Sequence, residues 1–259
     1  MEYNDIIYAK EGDIATVTLN RPHRMNAFTV AMIESMIRAL EDAAADHEIR
    51  VIVVTGAGRA FSAGLDLKEP PNLRAMSLDV ATSQMFRLPS LAIGIDKPII
   101  ACINGAAVGW GFEVALMCDV RIAVDNAKIG DPHLNYCLLP DFGGLFNLPR
   151  VVGWAKAFEL IFTGQLIDGR EAERVGLVNK AVPQDQLEAT VKEIARTMAS
   201  KSPLVVQMAK RGMRTGLTTD LKRSVDDVLV LQEKLVGTDD FAEAWAALKE
   251  RRRPQFRGR

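Results

Sequence analysis

Apolar and polar residues alternate through IIYAKEGDIATVTLN (6–20) on both sides of the polar turn Glu-Gly-Asp, which predicts a β-hairpin. The period then changes. In FTVAMIESMIRALEDAAADHEI (28–49), Val30, Ile33, Ile37 and Leu40 recur every three to four residues, the stripe of an amphipathic helix. VIVVTG (51–56) and PIIACING (98–105) are apolar runs that close on glycine, and VRIAV (120–124) is a third such run. These predict strands covered on both faces. Helices are predicted over about 78–93, from 111 to about Cys118, over 153–164 and over 168–177, the last two stopped by glycine. After LVNKAVP the chain reads as almost wholly helical to about Arg252. Strands alternating with helices, then helices alone, predict an α/β core with a helical C-terminal appendage. No low-complexity segment and no fixed-period repeat stands out.

Composition narrows the classes. The chain has 259 residues, 48% hydrophobic and 25% charged, enough for one large domain or a domain with an appendage. A net charge of −1 supplies no field for nucleic acid or an anionic membrane, so neither is expected as the main partner. The exception is the locally basic tail KERRRPQFRGR (249–259). Cys102, Cys118 and Cys137 have no disulfide or zinc spacing, and His23, His47 and His133 form no ligand pair, so no metal is expected. MEYNDIIYAKEGD lacks the apolar centre of a signal peptide, and the least charged stretch (98–112) is too short to span a bilayer. The expected compartment is the cytoplasm.

Three places could carry chemistry. FSAGLDL (61–67) and NGAAVGWGFEVAL (104–116) each put small residues where a strand ends and a helix can begin. Such loops can point backbone N–H groups at an oxygen that becomes negative, or can simply be tight packing turns. Neither is a dinucleotide or phosphate-loop pattern. Glu113 follows a long uncharged run; it is either a first-turn partner of the helix dipole or a proton handler raised by burial. In DPHLNYCLLPDFGG (131–144), His133 and Asp141 are either turn residues or acid–base groups.

FSAGLDL, then KPIIACINGAAVGWGFEVALMCDVRIA, then LLPDFGG with LPRVVGWAKAFELIFTGQLIDGREAERVGLVNKAVP, resembles the enoyl-CoA hydratase/isomerase (crotonase) superfamily in fixed order along essentially the whole chain, closing RRRPQF included. The resemblance implies an α/β fold: a spiral of repeated β-β-α units over 1–195, holding the CoA-thioester site, and a helical trimerisation region over 196–259. It implies a homotrimer, or a hexamer of two trimers, acting on an acyl-CoA, with CoA part of the substrate and no further cofactor. Two backbone N–H groups that stabilise a thioester enolate fall on Leu65 and Trp110. The second position is usually glycine, so Trp110 departs from the pattern, and its side chain is expected to crowd the acyl pocket. Ala63, Leu65 and Lys68 fall along the CoA nucleotide, and Arg251 falls where a lysine often reaches a CoA phosphate. Segment 69–90 and the C-terminal helices are expected to line the acyl pocket.

The same matching makes the proton handlers unusual. Hydratases of the family carry two glutamates. The first falls on Glu113; the second falls on His133, because DPH stands where x-P-E is usual. Asp141 falls where hydratases have glycine, and where dienoyl-CoA isomerases, an aryl-CoA dehalogenase and a phenylacetate-pathway ring isomerase have a catalytic aspartate. A double-bond shift needs one group that takes and returns a proton, and Asp141 with Glu113 could supply it. The first expectation is therefore an isomerase, with His133 tuning the pair. Hydration is the alternative because Glu113 is retained. Nucleophilic attack by Asp141, a non-catalytic acyl-CoA-binding protein and an RNA-binding tail are further readings.

Overall fold

The computed structural model describes residues 2–68 and 86–259. The predicted hairpin forms as β1 (Ile6–Glu11) and β2 (Ile14–Leu19), paired antiparallel. The predicted first helix is α1 (Val30–Ala45), started where the Thr29 side chain accepts the Met32 N–H and packed over β1 and β2 through Met32, Ile33, Met36, Ile37 and Leu40. Val30, on the predicted stripe, lies exposed at the first turn.

The three apolar runs become β3 (Val51–Gly56), β5 (Ile99–Ile103) and β7 (Val120–Val124). They lie parallel in the six-stranded sheet β1-β2-β3-β5-β7-β9, whose last member is β9 (Lys180–Val182). β5 is buried throughout, as a parallel strand covered on both faces must be. Each strand is followed by a very short partner: β4 (Ala60–Ser62), β6 (Ala106–Val108) and β8 (Ile129–Gly130), which form a second parallel sheet. The chain thus climbs in repeated β-β-α turns. The described helices of these turns include α2 (Arg87–Gly94) and α3 (Trp110–Met117).

Then come α4 (Gly144–Val152), α5 (Trp154–Thr163) and α6 (Gly169–Arg174). α7 (Leu187–Ala199) closes the far face of the sheet over β3, β5 and β7. α8 (Pro203–Gly216), α9 (Leu221–Val236) and α10 (Asp239–Glu250) complete the helical C-terminal region. Of the helix expected over 78–93, residues 78–85 lie outside the described residues, as does most of segment 69–90. β9, the three strands of the small sheet and α4 are additions to the sequence reading. Two- and three-residue strands hold too few positions for a period, and Pro149 inside α4 reads as a breaker. No described helix is long and apolar enough to cross a membrane.

Candidate active site

The two glycine loops meet. Gly64 has φ +89°, and a Cβ there would stand 2.7 Å from Val108 O and 3.4 Å from Trp110 N, so the loop after β4 lies directly against the start of α3. Backbone donors on the first loop are nearly all used. Ala63 N–H donates to Met25 O, Gly64 N–H to Ser62 Oγ, and Asp66 N–H to Phe28 O. Leu65 sits between them, bridged to Phe28, and its N–H has no acceptor among the described residues. Buried Arg21 holds the loop from below, donating to Asp66 Oδ2 at 2.9 Å and to Ala27 O at 2.8 Å.

On the second loop, Gly109 N–H donates to Gly130 O and its carbonyl accepts Glu113 N–H. Trp110 is the first residue of α3, where an N–H has no partner within the helix. The positive φ that the turn requires falls on Gly109 at +55°, and Trp110 is not among the residues with positive φ. The bulky residue therefore leaves the backbone donor intact. Its side chain does not stand free in a pocket. It is buried, stacks on Phe142 with ring centres 4.6 Å apart, and donates from Nε1 to Asp141 Oδ1 at 2.7 Å. Phe86 meets the same Phe142 ring edge-on, so the segment entering α2 reaches this wall.

Glu113 is fully buried on the first turn of α3. Its Oε1 accepts the N–H groups of Phe142 (2.9 Å) and Gly144 (2.7 Å), across the loop that carries Asp141. Gly144 permits this approach, because a Cβ there would lie 2.7 Å from Oε1. The other oxygen, Oε2, stands 3.9 Å from His133 Nδ1. Burial, with the charge of Asp131 adding to it, pushes the Glu113 pKa up to about 8, so the carboxyl is largely protonated at neutral pH.

His133 is buried at the start of a short 3₁₀ turn. Burial opposes its charged form, but Asp131, Glu113 and Asp141 together outweigh that and raise its pKa. Asp131 Oδ1 accepts the His133 backbone N–H at 3.1 Å and touches Nδ1. Asp141 is open to solvent on one side; partial burial raises its pKa against the lowering effect of the indole bond.

Glu113, His133, Asp141 and the Leu65 and Trp110 N–H groups therefore belong to one site. Sequence reasoning missed Asp131, Arg21 and Asp66. Asp131 carried one available signal, a carboxylate two residues from a candidate base. Ala63 and Lys68 lie exposed on the Leu65 loop. Arg251 caps α10 at φ +53°, exposed, with no described contact to that loop. The donor atoms of Glu113, Asp131 and His133 lie within 4.8 Å of one another.

Backbone donors on two touching loops, beside a buried carboxyl and an imidazole, form an arrangement with the chemistry to stabilise an oxyanion and move protons. The sequence profile described as enoyl-CoA hydratase/isomerase matches residues 9–259, and the chain belongs to that family. It is 37% identical to a short-chain-enoyl-CoA hydratase of Clostridium acetobutylicum, over 98% of this chain and 97% of that one. It is 36% identical to a crotonyl-CoA hydratase of Syntrophomonas wolfei, over 99% of both. Its structure is similar to an enoyl-CoA hydratase of Bacillus anthracis, with a TM-score of 0.92 at 33% identity over 99% of this chain and 100% of that one. The fold is thus the crotonase spiral expected from the sequence. The relatives' names favour water addition over the double-bond shift that was the first expectation.

Proposed function

We propose that this protein is an enoyl-CoA hydratase that adds water across the 2,3 double bond of a short 2-enoyl-CoA. The observation that carries the reading is the Glu113–His133 pair: a buried carboxyl protonated at neutral pH, with one oxygen free, facing an imidazole beside two unengaged N–H donors. The thioester oxygen binds the N–H groups of Leu65 and Trp110, each contributing about 3–4 kcal/mol as negative charge develops. His133 removes a proton from water as it attacks C3. Glu113 delivers its proton to C2, and before the next turnover His133 releases the proton it gained to solvent while Glu113 takes one up. The names of the relatives support both the reaction and the short acyl group. Ala63, Leu65 and Lys68 lie along the CoA nucleotide in this reading, and Arg251 reaches a CoA phosphate. CoA enters as substrate, and the assembly is a trimer or a pair of trimers.

A double-bond shift through Asp141 is the second reading. It is favoured by the raised Asp141 pKa and by the indole that holds the carboxylate in the site. Parallel assays with 2-enoyl- and 3-enoyl-CoA separate the two. Hydration should survive Asp141→Ala within about tenfold, the scale of one positioning hydrogen bond. It should fall about 10²–10⁴-fold in Glu113→Gln. Bond migration abolished by Asp141→Ala, with no hydration in the wild type, would establish the second reading.

A further inference from the structure

Glu113 Oε2, Asp131 Oδ2 and His133 Nδ1 are buried and make no well-angled hydrogen bond among the described residues. Three buried groups, each with an unpartnered polar atom and with ligand atoms within 4.8 Å of one another, are costly unless protons are shared among them. Glu113 and His133 have roles in the proposed hydration; Asp131 has none. Yet Asp131 is almost completely buried, and its Oδ1 both accepts the His133 backbone N–H and touches Nδ1. A carboxylate is an acceptor only, so the Nδ1 edge beside it is the edge that carries a proton. The opposite edge is placed differently. A Cβ on Gly109 would stand 3.5 Å from His133 Cε1 and 3.7 Å from Nε2, so this edge faces the turn that presents the Trp110 N–H.

We infer that Asp131 is the positioning residue of His133: it holds the Nδ1 edge and its proton, leaving Nε2, beside the oxyanion turn, as the atom that takes the proton from water. The inference rests on the hydration reading for its catalytic consequence, but not for its tautomer. When Nε2 accepts the proton, Asp131 flanks the imidazolium that forms. Glu113, from α3, and Asp141, from the loop before α4, are the other acids that act on the ring. Without Asp131 the next acceptor for Nδ1–H is Glu113 Oε2 at 3.9 Å, which would engage the oxygen that has to deliver its proton to C2. The Asp-Pro-His sequence makes the device local: the bond from the His133 backbone N–H to Asp131 Oδ1 fixes the carboxylate from within the same turn.

Asp131→Asn tests this, because it removes the charge beside Nδ1, where Oδ1 both meets the ring and accepts the His133 N–H, and its amide, turned toward the ring, can donate to Nδ1. The chain has three histidines, so ¹⁵N-histidine labelling gives few signals, and His133→Gln assigns the one in question. In the wild type, at a pH where His133 is neutral, the proton should sit on Nδ1. In Asp131→Asn it should move to Nε2. In the same variant, kcat for crotonyl-CoA hydration should fall about 10²–10⁴-fold with KM nearly unchanged, because the base is then in the wrong tautomer. The acid limb of the pH profile should move to lower pH, and Asp131→Glu should restore the wild-type tautomer.

An unchanged tautomer in Asp131→Asn together with an unmoved His133 titration would overturn the inference. So would a loss expressed in KM with an unmoved acid limb, which marks a merely structural residue. A stoichiometric metal whose removal by chelator shifts the His133 signals would overturn it as well. The tautomer is read without turnover. A wild-type protein that hydrates no 2-enoyl-CoA would defeat the proposed reaction and leave the positioning inference to stand or fall on the spectra.

Discussion

Glu113 sits where a carboxylate is hardest to keep ionised, and that has consequences for stability as well as chemistry. Its folded pKa of about 8 lies above the 4.5 of a free glutamate, so between these values the folded state binds more protons than the unfolded one. The contribution is fully present below about pH 4.5 and is lost as pH rises through about 8. Glu113→Gln keeps an oxygen for the Phe142 and Gly144 N–H groups and removes the titration. Its melting temperature relative to wild type should therefore rise between pH 5 and pH 8, by the equivalent of a few kcal/mol at most. A pH-independent difference in calorimetry would contradict the burial argument. The same pair sets the kinetics. kcat/KM for hydration should rise with pH through the elevated His133 pKa, as the base becomes neutral, and fall near pH 8 as Glu113 ionises. At this scale, Glu113, His133 and Asp141 were legible because a carboxyl in apolar company and an unusual residue at a fixed spacing are visible in the sequence. Asp131 was not, because its burial and its contact with Nδ1 exist only once the turn has folded.

Among the elements, the site depends on the loop after β4 lying against the first turn of α3. Gly64→Ala places a Cβ in Val108 O at a residue with φ +89°, a conformation costly to any residue with a side chain. Denaturant unfolding should show a loss of about 1–3 kcal/mol. The protein that remains folded should bind acyl-CoA more weakly, because the Leu65 and Trp110 donors no longer converge. Gly144→Ala acts from the other side, forcing its Cβ toward Glu113 Oε1. It should lower kcat more than KM, and equal effects on the two would contradict the placement of Glu113. The long buried strands β3, β5 and β7 were readable because continuous apolar runs leave few alternatives. The second sheet was not, because β4, β6 and β8 are built from two or three mostly small residues and are defined by partners far away in the chain. The spiral itself came from the resemblance; no fixed sequence period announces it.

For the whole molecule, the exposed apolar surface is what the proposed trimer would cover. Trp154, Phe158 and Phe162 repeat every four residues along α5 and are 67%, 48% and 68% exposed. Leu221, Val225 and Leu229 do the same on α9. Contiguous apolar surface of this kind is normally covered in a symmetric assembly. Light scattering should give the mass of three or six copies, and Phe158→Glu combined with Phe162→Glu should lower it; a monomeric wild type would contradict the assembly. The basic tail has a local explanation: Arg252 pairs with Glu243 and Glu250, and Arg259 with Asp239. The central claim is that this protein adds water to a 2-enoyl thioester, and it is tested most directly by NMR of the product formed from crotonyl-CoA in D₂O. The account predicts 3-hydroxybutyryl-CoA carrying one deuteron at C2, formed by the wild type and at least about 10²-fold more slowly by Glu113→Gln. A migrated double bond with no hydroxyl at C3, or equal rates in the two proteins, would contradict it.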